Sequence, residues 1–107
     1  MRSTRDEAER LRLLGLARRA GRTVIGTRAV REAARRGGLA GVVLATDATQ
    51  NARARLEPAL RSGGVPCASL ATSAEIGLAV GRGPMVAVGI TDRALAGRIL
   101  RDSIESE

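Results

Sequence analysis

The chain has 107 residues, a length typical of one domain, and 44% of them are apolar, so a packed core needs neither disulfides nor a metal. Its formal charge is +7, all eighteen basic residues are arginine, and histidine, phenylalanine, tyrosine and tryptophan are absent. A single cysteine, Cys67, excludes an intramolecular disulfide, and without histidine the commonest general base and metal ligand is missing.

The positive charge is concentrated at the beginning of the chain. Residues 1–36 contain eleven arginines and four acidic residues, a net charge of +7, whereas residues 37–107 contain seven of each and are neutral overall. A basic surface of this kind typically faces a polyanion, and nucleic acid is the partner it favours. The alternative is a solvated basic surface that keeps the protein soluble.

Membrane and export signals are not evident in the sequence. No segment approaches the ~20 consecutive apolar residues that cross a bilayer, and residues 1–10 lack the apolar stretch of a signal peptide. We therefore expect a cytoplasmic protein without membrane contact. Cys67 follows Pro66 in an apolar stretch, which favours a buried structural thiol over a reactive one.

The first helix is predicted at residues 6–20, with Gly21 as its C-terminal stop. At 100° per residue its apolar face carries Leu13, Leu14, Leu16, Ala17 and Ala20. The β-branched stretch Thr23–Ile25 then predicts a short strand, which Gly26 ends.

The next three elements show the same alternation. A second helix is expected from Thr27, whose hydroxyl can cap it, to Arg36. The continuous apolar run Val42–Thr46 indicates a strand covered on both faces. A third helix is predicted at Gln50–Ser62, but Pro58 lies inside it and costs about 3 kcal/mol there, so this helix is either kinked or broken.

The last part of the chain carries two cap signals. Thr72 and Glu75 have the spacing of a capping box, which begins a short helix that reaches Val80. Thr91 and Asp92 are placed to cap a last helix, whose apolar residues are Leu95, Ile99 and Leu100. Two apolar runs of strand length precede these helices: Cys67–Leu70 and Met85–Ile90.

The predicted elements alternate between helix and strand along the whole chain, with five helices and four strands. Alternation at this spacing favours an α/β fold, namely a three-layer α/β/α sandwich with a sheet of about four strands. Because the sequence has neither internal repeats nor a linker, we expect residues 1–107 to form a single domain.

Catalytic chemistry finds little support. Asp47 and Asp92 each follow a threonine at a strand end, where helix capping explains them better than catalysis at a switch point of the sheet. The glycine-rich stretch Gly81–Pro84 lacks the phosphate-loop pattern, and a strand follows it instead of a helix. We therefore expect a protein that is not an enzyme and that uses no cofactor and no metal.

Three segments together resemble a known family. They are residues 13–26 (LLGLARRAGRTVIG), residues 42–48 (VVLATDA) and residues 75–92, which contain EIGLAVG and VAVGITD. In order and spacing these segments are similar to the bacterial YlxQ-like branch of the ribosomal protein superfamily that includes L-seven-Ae and L-thirty-e. The resemblance extends over nearly all of residues 11–100.

The resemblance implies a three-layer α/β/α fold that binds the kink-turn, a sharply bent RNA element with tandem sheared G·A pairs. In well-studied members, the helix after the first strand begins Gly-x-Asn-Glu-x-x-Lys and contacts those pairs, and a loop before the last strand closes over an extruded nucleotide. The matching helix start here keeps Gly26, but Arg28 replaces Asn, Ala29 replaces Glu and Glu32 replaces Lys. The matching loop is Arg82-Gly83-Pro84.

The charge pattern of the second helix also favours RNA. Arg28, Arg31 and Arg35 lie within about 60° of one another around the helix, opposite Val30 and Ala33. Arginine can pair with guanine or phosphate and can stack on an unpaired base. The alternative is that these arginines form a solvated face. The predicted RNA-binding residues are Gly26, Thr27, Arg28, Arg31, Arg35, Arg82, Gly83 and Pro84.

The sequence thus predicts non-enzymatic binding of structured RNA, with ribosomal RNA or the ribosome as the expected setting. A protein–protein adaptor of the same fold is the alternative, and an enzyme with its site at the sheet is a third. A steep salt dependence of RNA affinity separates the first hypothesis from the second.

Overall fold

A computed structural model describes residues 4–100, which form five helices and four strands. In chain order these elements are α1 (Thr4–Arg19), β1 (Thr23–Ile25), α2 (Thr27–Arg35), β2 (Gly41–Ala45), α3 (Gln50–Gly63), β3 (Cys67–Ala71), α4 (Ser73–Ala79), β4 (Ala87–Ile90) and α5 (Arg93–Ile99). The type and order of all nine predicted elements are confirmed, and their bounds agree to within two residues.

The four strands form one mixed sheet in the order β1-β4-β2-β3. Strand β2 runs parallel to β3, while β4 lies between β1 and β2 and is antiparallel to both. In the β1–β4 pair, Thr23 is opposite Ile90 and Ile25 is opposite Val88. The end of β1 therefore lies beside the start of β4.

Helices cover both faces of the sheet, as the alternating side chains of β2 show. Val43 and Ala45 pack into a cluster with residues of α1, α4 and α5. Val42 and Leu44 point the other way, into a cluster with residues of α2 and α3. All five residues of β2 are buried, as the continuous apolar run predicts. The three-layer α/β/α sandwich is thus confirmed.

Side-chain caps begin three of the helices. At the start of α3, the Oγ1 atom of Thr49 accepts a hydrogen bond from the amide of Ala52. At the start of α5, the carboxylate of Asp92 accepts a hydrogen bond from the amide of Leu95. The predicted capping box at α4 is confirmed, because Thr72 and Glu75 bond each other's backbone amides.

Pro58 does not break α3, so that alternative is wrong. The helix continues to Gly63 and ends at Gly64, which has a left-handed conformation with φ of 63°. Three side chains of α3 are fully buried against the sheet and α2: Leu56, Ala59 and Leu60. Their burial offsets the roughly 3 kcal/mol that an interior proline costs.

Three further expectations need correction. Thr27 is the first residue of α2 and does not cap it, because Gly26 holds the N-cap position. Leu16 is 38% exposed and Ala20 lies exposed beyond the end of α1. Cys67 is only partly buried, although that burial is enough to raise the pKa of its thiol.

Arg10 lies on the buried side of α1, where the sequence predicts only apolar side chains. It lies between Leu14 and Ala17 around α1 and is 1% exposed. Its Nε donates to the carbonyl of Ile99 at 2.6 Å, and its guanidinium lies 3.6 Å from the carboxylate of Asp6. Arg10 therefore joins α1 to the end of α5.

Asp47 also has a role that local spacing does not predict. Its carboxylate accepts hydrogen bonds from the amide and the hydroxyl of Ser73, the first residue of α4. The helix that follows Asp47 in sequence, α3, is capped by Thr49 instead. Asp92 thus caps the helix that follows it, as expected. Asp47 instead bonds the first residue of α4, which lies 26 positions later in the chain.

Candidate nucleic-acid interface

The start of α2 and the end of the loop before β4 meet at one end of the sheet. The Gly26 amide donates to the carbonyl of Ala87 at 3.1 Å, which extends the β1–β4 pairing by one residue. On the other side of β4, the carbonyl of Val86 accepts the amide of Ala45 at 2.8 Å. The start of α2 is therefore joined through backbone to the first residue of β4.

The loop residues Arg82, Gly83 and Pro84 are exposed and lie three to five positions before Ala87. A chain of that length spans at most about 18 Å. Their backbone is held by α4, because the Arg82 amide donates to the carbonyl of Gly77 at 2.7 Å. The loop thus leaves α4 beside Gly77 and leads into β4 at Ala87.

The N-terminus of α2 is the one helix start among α2–α5 without a side-chain cap. Gly26 has φ of 98° and ψ of 152°, a conformation that side chains strongly disfavour. The first intrahelical bond joins the Val30 amide to the carbonyl of Gly26 at 2.9 Å. The amides of the first turn and the positive end of the helix dipole are therefore available to an anion or a base acceptor.

An open hollow surrounds this helix start. Its lining residues are Ile25, Gly26, Thr27, Arg28, Ala29 and Glu32. Arg28 and Glu32 are both exposed and lie one turn apart on α2. Within residues 4–100, no carboxylate lies within 4.0 Å of the Arg28 guanidinium. Its charge and donors can therefore serve a bound molecule.

Arg31 and Arg35, the other two arginines predicted on this side of α2, do not line the hollow. Arg35 is exposed and lies seven residues, or about 10 Å, beyond Arg28 along α2. Arg31 is half-buried, and its Nε has no hydrogen-bond partner in the described part of the chain. Val30 and Ala33, on the opposite side of α2, are buried. The hollow thus includes Gly26, Thr27 and Arg28, whereas Arg31 and Arg35 extend its basic side.

The described residues were also compared with the features of a metal site, a membrane-spanning helix and a catalytic carboxylate. Between residues 4 and 100, no group of three or more histidine, cysteine or acidic side chains could hold a metal ion. The same residues include no helix long and apolar enough to cross a membrane. Asp47, an alternative catalytic residue, is engaged by Ser73, and this contact lowers the pKa of its carboxyl.

Sequence reasoning missed the residues that position the start of α2 and the loop before β4. Val86 and Ala87 contribute through their carbonyl groups, and Gly77 contributes by leaving room for the loop, since a Cβ there would overlap the carbonyl of Gly83. Every residue type carries a backbone carbonyl, so these acceptors cannot be identified from the amino-acid sequence. They become predictable only when β1 and β4 are known to be neighbours in the sheet.

Comparisons with known proteins agree with this fold. Residues 8–97 match the model of the Ribosomal protein L7Ae/L30e/S12e/Gadd45 family. A Bacillus halodurans protein with unknown function has a similar structure, with 28% identity and a TM-score of 0.83 over 88% of this chain and 95% of that one. A Giardia lamblia 15.5kD RNA binding protein shares the fold at 18% identity, with a TM-score of 0.75 over 99% of this chain and 90% of the other. No curated protein sequence matches the chain.

Proposed function

The chain belongs to the Ribosomal protein L7Ae/L30e/S12e/Gadd45 family, and on this basis we propose that it binds structured RNA at the start of α2. The observation that carries the proposal is the uncapped N-terminus of α2 beside an exposed Arg28, which has no ion-pair partner among residues 4–100. Backbone amides, a helix dipole and a guanidinium then converge on one open hollow, and all three favour phosphate or the acceptor edge of a base.

The proposed ligand is a kink-turn or a related bent element. Gly26 lets a nucleic-acid backbone approach closely, since it has no side chain. Arg28 can donate two parallel hydrogen bonds to guanine or to phosphate, in place of the Asn of well-studied members. Arg31 offsets part of the charge that is lost where Glu32 replaces their Lys. The loop Arg82-Gly83-Pro84 would close over the RNA from the side of α4.

The charge of the chain supports the same proposal. Eleven of its eighteen arginines lie in residues 1–36, which include α2. The Giardia lamblia neighbour is described as RNA binding, which is consistent with a nucleic-acid ligand for this fold. We further propose a single RNA-binding domain over residues 1–107, of the YlxQ-like bacterial branch, acting in the cytoplasm with ribosomal RNA or the ribosome and without catalysis.

Binding to a defined RNA tests this function. The probe is a kink-turn RNA with tandem G·A pairs, and its control has those pairs replaced by Watson–Crick pairs. We expect tighter binding of the kink-turn and an affinity that falls steeply with salt, by about 0.7 to 0.9 in log–log slope for each phosphate contacted. Equal affinity for both RNAs would contradict kink-turn recognition, and a slope near zero would contradict an electrostatic RNA interface altogether.

A further inference from the structure

The end of the sheet opposite to the start of α2 carries an excess of positive charge. The ends of α1, α2 and α3 lie there with the loops that follow them, together with the start of α5 and the loop before it. These segments are residues 16–22, 32–40, 60–66 and 91–96, and they contain seven arginines and two carboxylates. The four connections at the other end, residues 26–31, 46–53, 72–75 and 80–86, contain four arginines and two carboxylates.

Backbone hydrogen bonds bring three of these segments together. The carbonyl of Arg22 accepts a hydrogen bond from the amide of Thr91 at 2.9 Å. The carbonyl of Ile90 accepts one from the amide of Ala40 at 2.8 Å. The loop after α1, the loop after α2 and the loop before α5 are therefore adjacent.

Ordinary helix electrostatics explain five of the seven arginines. A cation in the last turn of a helix offsets the partial negative charge of its terminal carbonyl groups. Five arginines lie in the last turns or at the C-cap of α1, α2 and α3: Arg18, Arg19, Arg35, Arg36 and Arg61. Arg22 and Arg93 are not explained in this way, because Arg22 lies three residues beyond α1 and Arg93 is the first residue of α5.

Arg93 lies where a helix disfavours a cation, since the N-terminus of a helix carries a partial positive charge. Arg22 is held beside this helix start by its bond to Thr91. Asp92 adds one carboxylate, which is engaged as the N-cap of α5. Both arginines are exposed, and within the described part of the chain no carboxylate lies within 4.0 Å of either guanidinium. Two arginines and the positive helix end thus outweigh one carboxylate.

An open hollow lies beside Arg93, between α5 and the turn after α3. Its lining includes Leu39, Gly63, Gly64, Pro66, Arg93 and Gly97. Among the residues that line it, Arg93 is the charged one. A Cβ at Gly64 or at Gly97 would meet nothing within 4 Å. Because these glycines have no side chain, another polymer backbone can approach closely here.

We propose that Arg22 and Arg93 bind the phosphate backbone of RNA, at a second surface on the opposite end of the sheet from the start of α2. Each guanidinium can donate two parallel hydrogen bonds to one phosphate. A protein partner fits less well, because the centre of a protein interface is apolar. Leu16, at 38%, is the most exposed large apolar side chain of the segments at this end. The choice of RNA among polyanions rests on the proposed function.

One RNA molecule can contact both surfaces. Strand β1 lies at the edge of the sheet and has three residues, so Arg22 lies only about 13 Å from Gly26 along the strand. Phosphate contacts position a nucleic acid but carry no sequence information. The surface at Arg22 and Arg93 therefore adds affinity for any RNA that extends past β1, whereas discrimination between RNAs belongs to the start of α2.

The salt dependence of RNA affinity in a double variant tests this surface. The probes are the kink-turn RNA and its Watson–Crick control, each with a fluorescent label for anisotropy. Arg22→Ala/Arg93→Ala should weaken both RNAs alike and make the log–log salt slope shallower by about 1.4 to 1.8, the contribution of two phosphates. The affinity ratio of the two RNAs should change less than about twofold. Arg22→Lys/Arg93→Lys should retain the wild-type slope, since lysine binds phosphate as a point charge.

Arg55→Ala/Arg98→Ala is the matched control, because it removes the same charge from exposed positions of α3 and α5. Arg98 lies about 140° from Arg93 around α5. The control should change the slope by less than about 0.5, as expected for charges that contact no phosphate. An equal change in both double variants, or none in Arg22→Ala/Arg93→Ala, overturns the proposal.

Two further outcomes separate this surface from the proposed function. If poly-glutamate competes as well as unlabelled RNA does, the surface does not select phosphate and the proposal is overturned. If the wild type binds both RNAs equally while Arg22→Ala/Arg93→Ala still has a shallower slope, kink-turn recognition fails and the second surface is supported. If the wild type discriminates and the double variant keeps its slope, only the second surface fails.

Discussion

Gly26 donates its amide to the carbonyl of Ala87 at 3.1 Å while holding φ at 98°. This one bond connects the last residue before α2 with the first residue of β4, 61 positions later in the chain. It places the uncapped start of α2 beside the first residue of β4. The geometry of the proposed RNA site therefore depends on a backbone conformation that favours glycine.

Replacing Gly26 with Ala should lower the free energy of unfolding by about 1–3 kcal/mol, the cost of such a conformation for a residue with a side chain. The loss is conformational, because nothing lies within 4 Å of a Cβ built at Gly26. Urea unfolding followed by far-UV circular dichroism measures it, since the chain lacks tryptophan and tyrosine.

Gly97→Ala is the control for that experiment. Gly97 lies exposed within α5, has open space around it and has no positive φ, so alanine there should raise stability by up to about 1 kcal/mol. A Gly26→Ala variant that matches the wild type in stability would show that the helix start does not need glycine.

Truncation of Arg28 to Ala should weaken binding of the kink-turn RNA by about 1–3 kcal/mol and reduce its discrimination, if the guanidinium contacts a base. Arg31→Ala should instead weaken all RNAs alike and make the salt slope shallower by about one, as expected for a phosphate contact. Affinities at two salt concentrations separate the two effects.

Arg98→Ala provides the control for both arginines. Arg98 is exposed on α5, in the helix layer that does not contain α2, and its loss should change RNA affinity little. If Arg98→Ala weakens binding more than either of the other two variants, the RNA surface lies on the other side of the protein.

Gly77→Ala should destabilise the protein by about 1–3 kcal/mol, although alanine is the better helix former. A Cβ at Gly77 would overlap the carbonyl of Gly83, and it would lie 3.0 Å from that of Arg82. The loop must therefore move away from α4. Urea unfolding reports the change in stability, and a Gly77→Ala variant more stable than the wild type would contradict the packing described for this loop.

The stability contributed by Asp47 should depend on pH. Its hydrogen bond from the Ser73 amide, followed by that from the Ser73 hydroxyl, lowers the pKa of the carboxyl below its ordinary value of 3.8. A lowered folded-state pKa means that the stabilisation is present above the unfolded value and is lost as pH falls through the folded one. The stability difference between wild type and Asp47→Asn should thus be constant above about pH 5 and shrink below about pH 4.

Urea unfolding at a series of pH values measures this difference. Glu57→Gln is the control, because the exposed ion pair of Glu57 with Arg61, at 3.9 Å, should contribute little at any pH. A difference between wild type and Asp47→Asn that grows on acidification would contradict the role assigned to the Ser73 contact.

Much of the fold was predictable because its signals are local. The Thr72–Glu75 capping box acts within four residues, and the burial of β2 follows from five consecutive small or apolar side chains. Regular alternation of helices and strands then implies helices on both faces of a sheet. The residues at the start of α2 could be singled out for the same reason, since glycine and arginine are visible in the sequence.

The remaining features depend on contacts between distant residues. The strand order brings Gly26 to Ala87. Arg10 donates to the carbonyl of Ile99, which lies 89 positions later in the chain. Asp47 accepts a hydrogen bond from Ser73, 26 positions later. Arg10 carries a polar side chain at an apolar position of α1, and the carbonyl of Ile99 at the end of α5 accepts a hydrogen bond that helps to offset the cost of burying it. Residue type and spacing along one segment therefore specify which elements form, whereas the partners of their buried polar groups follow from how those elements pack.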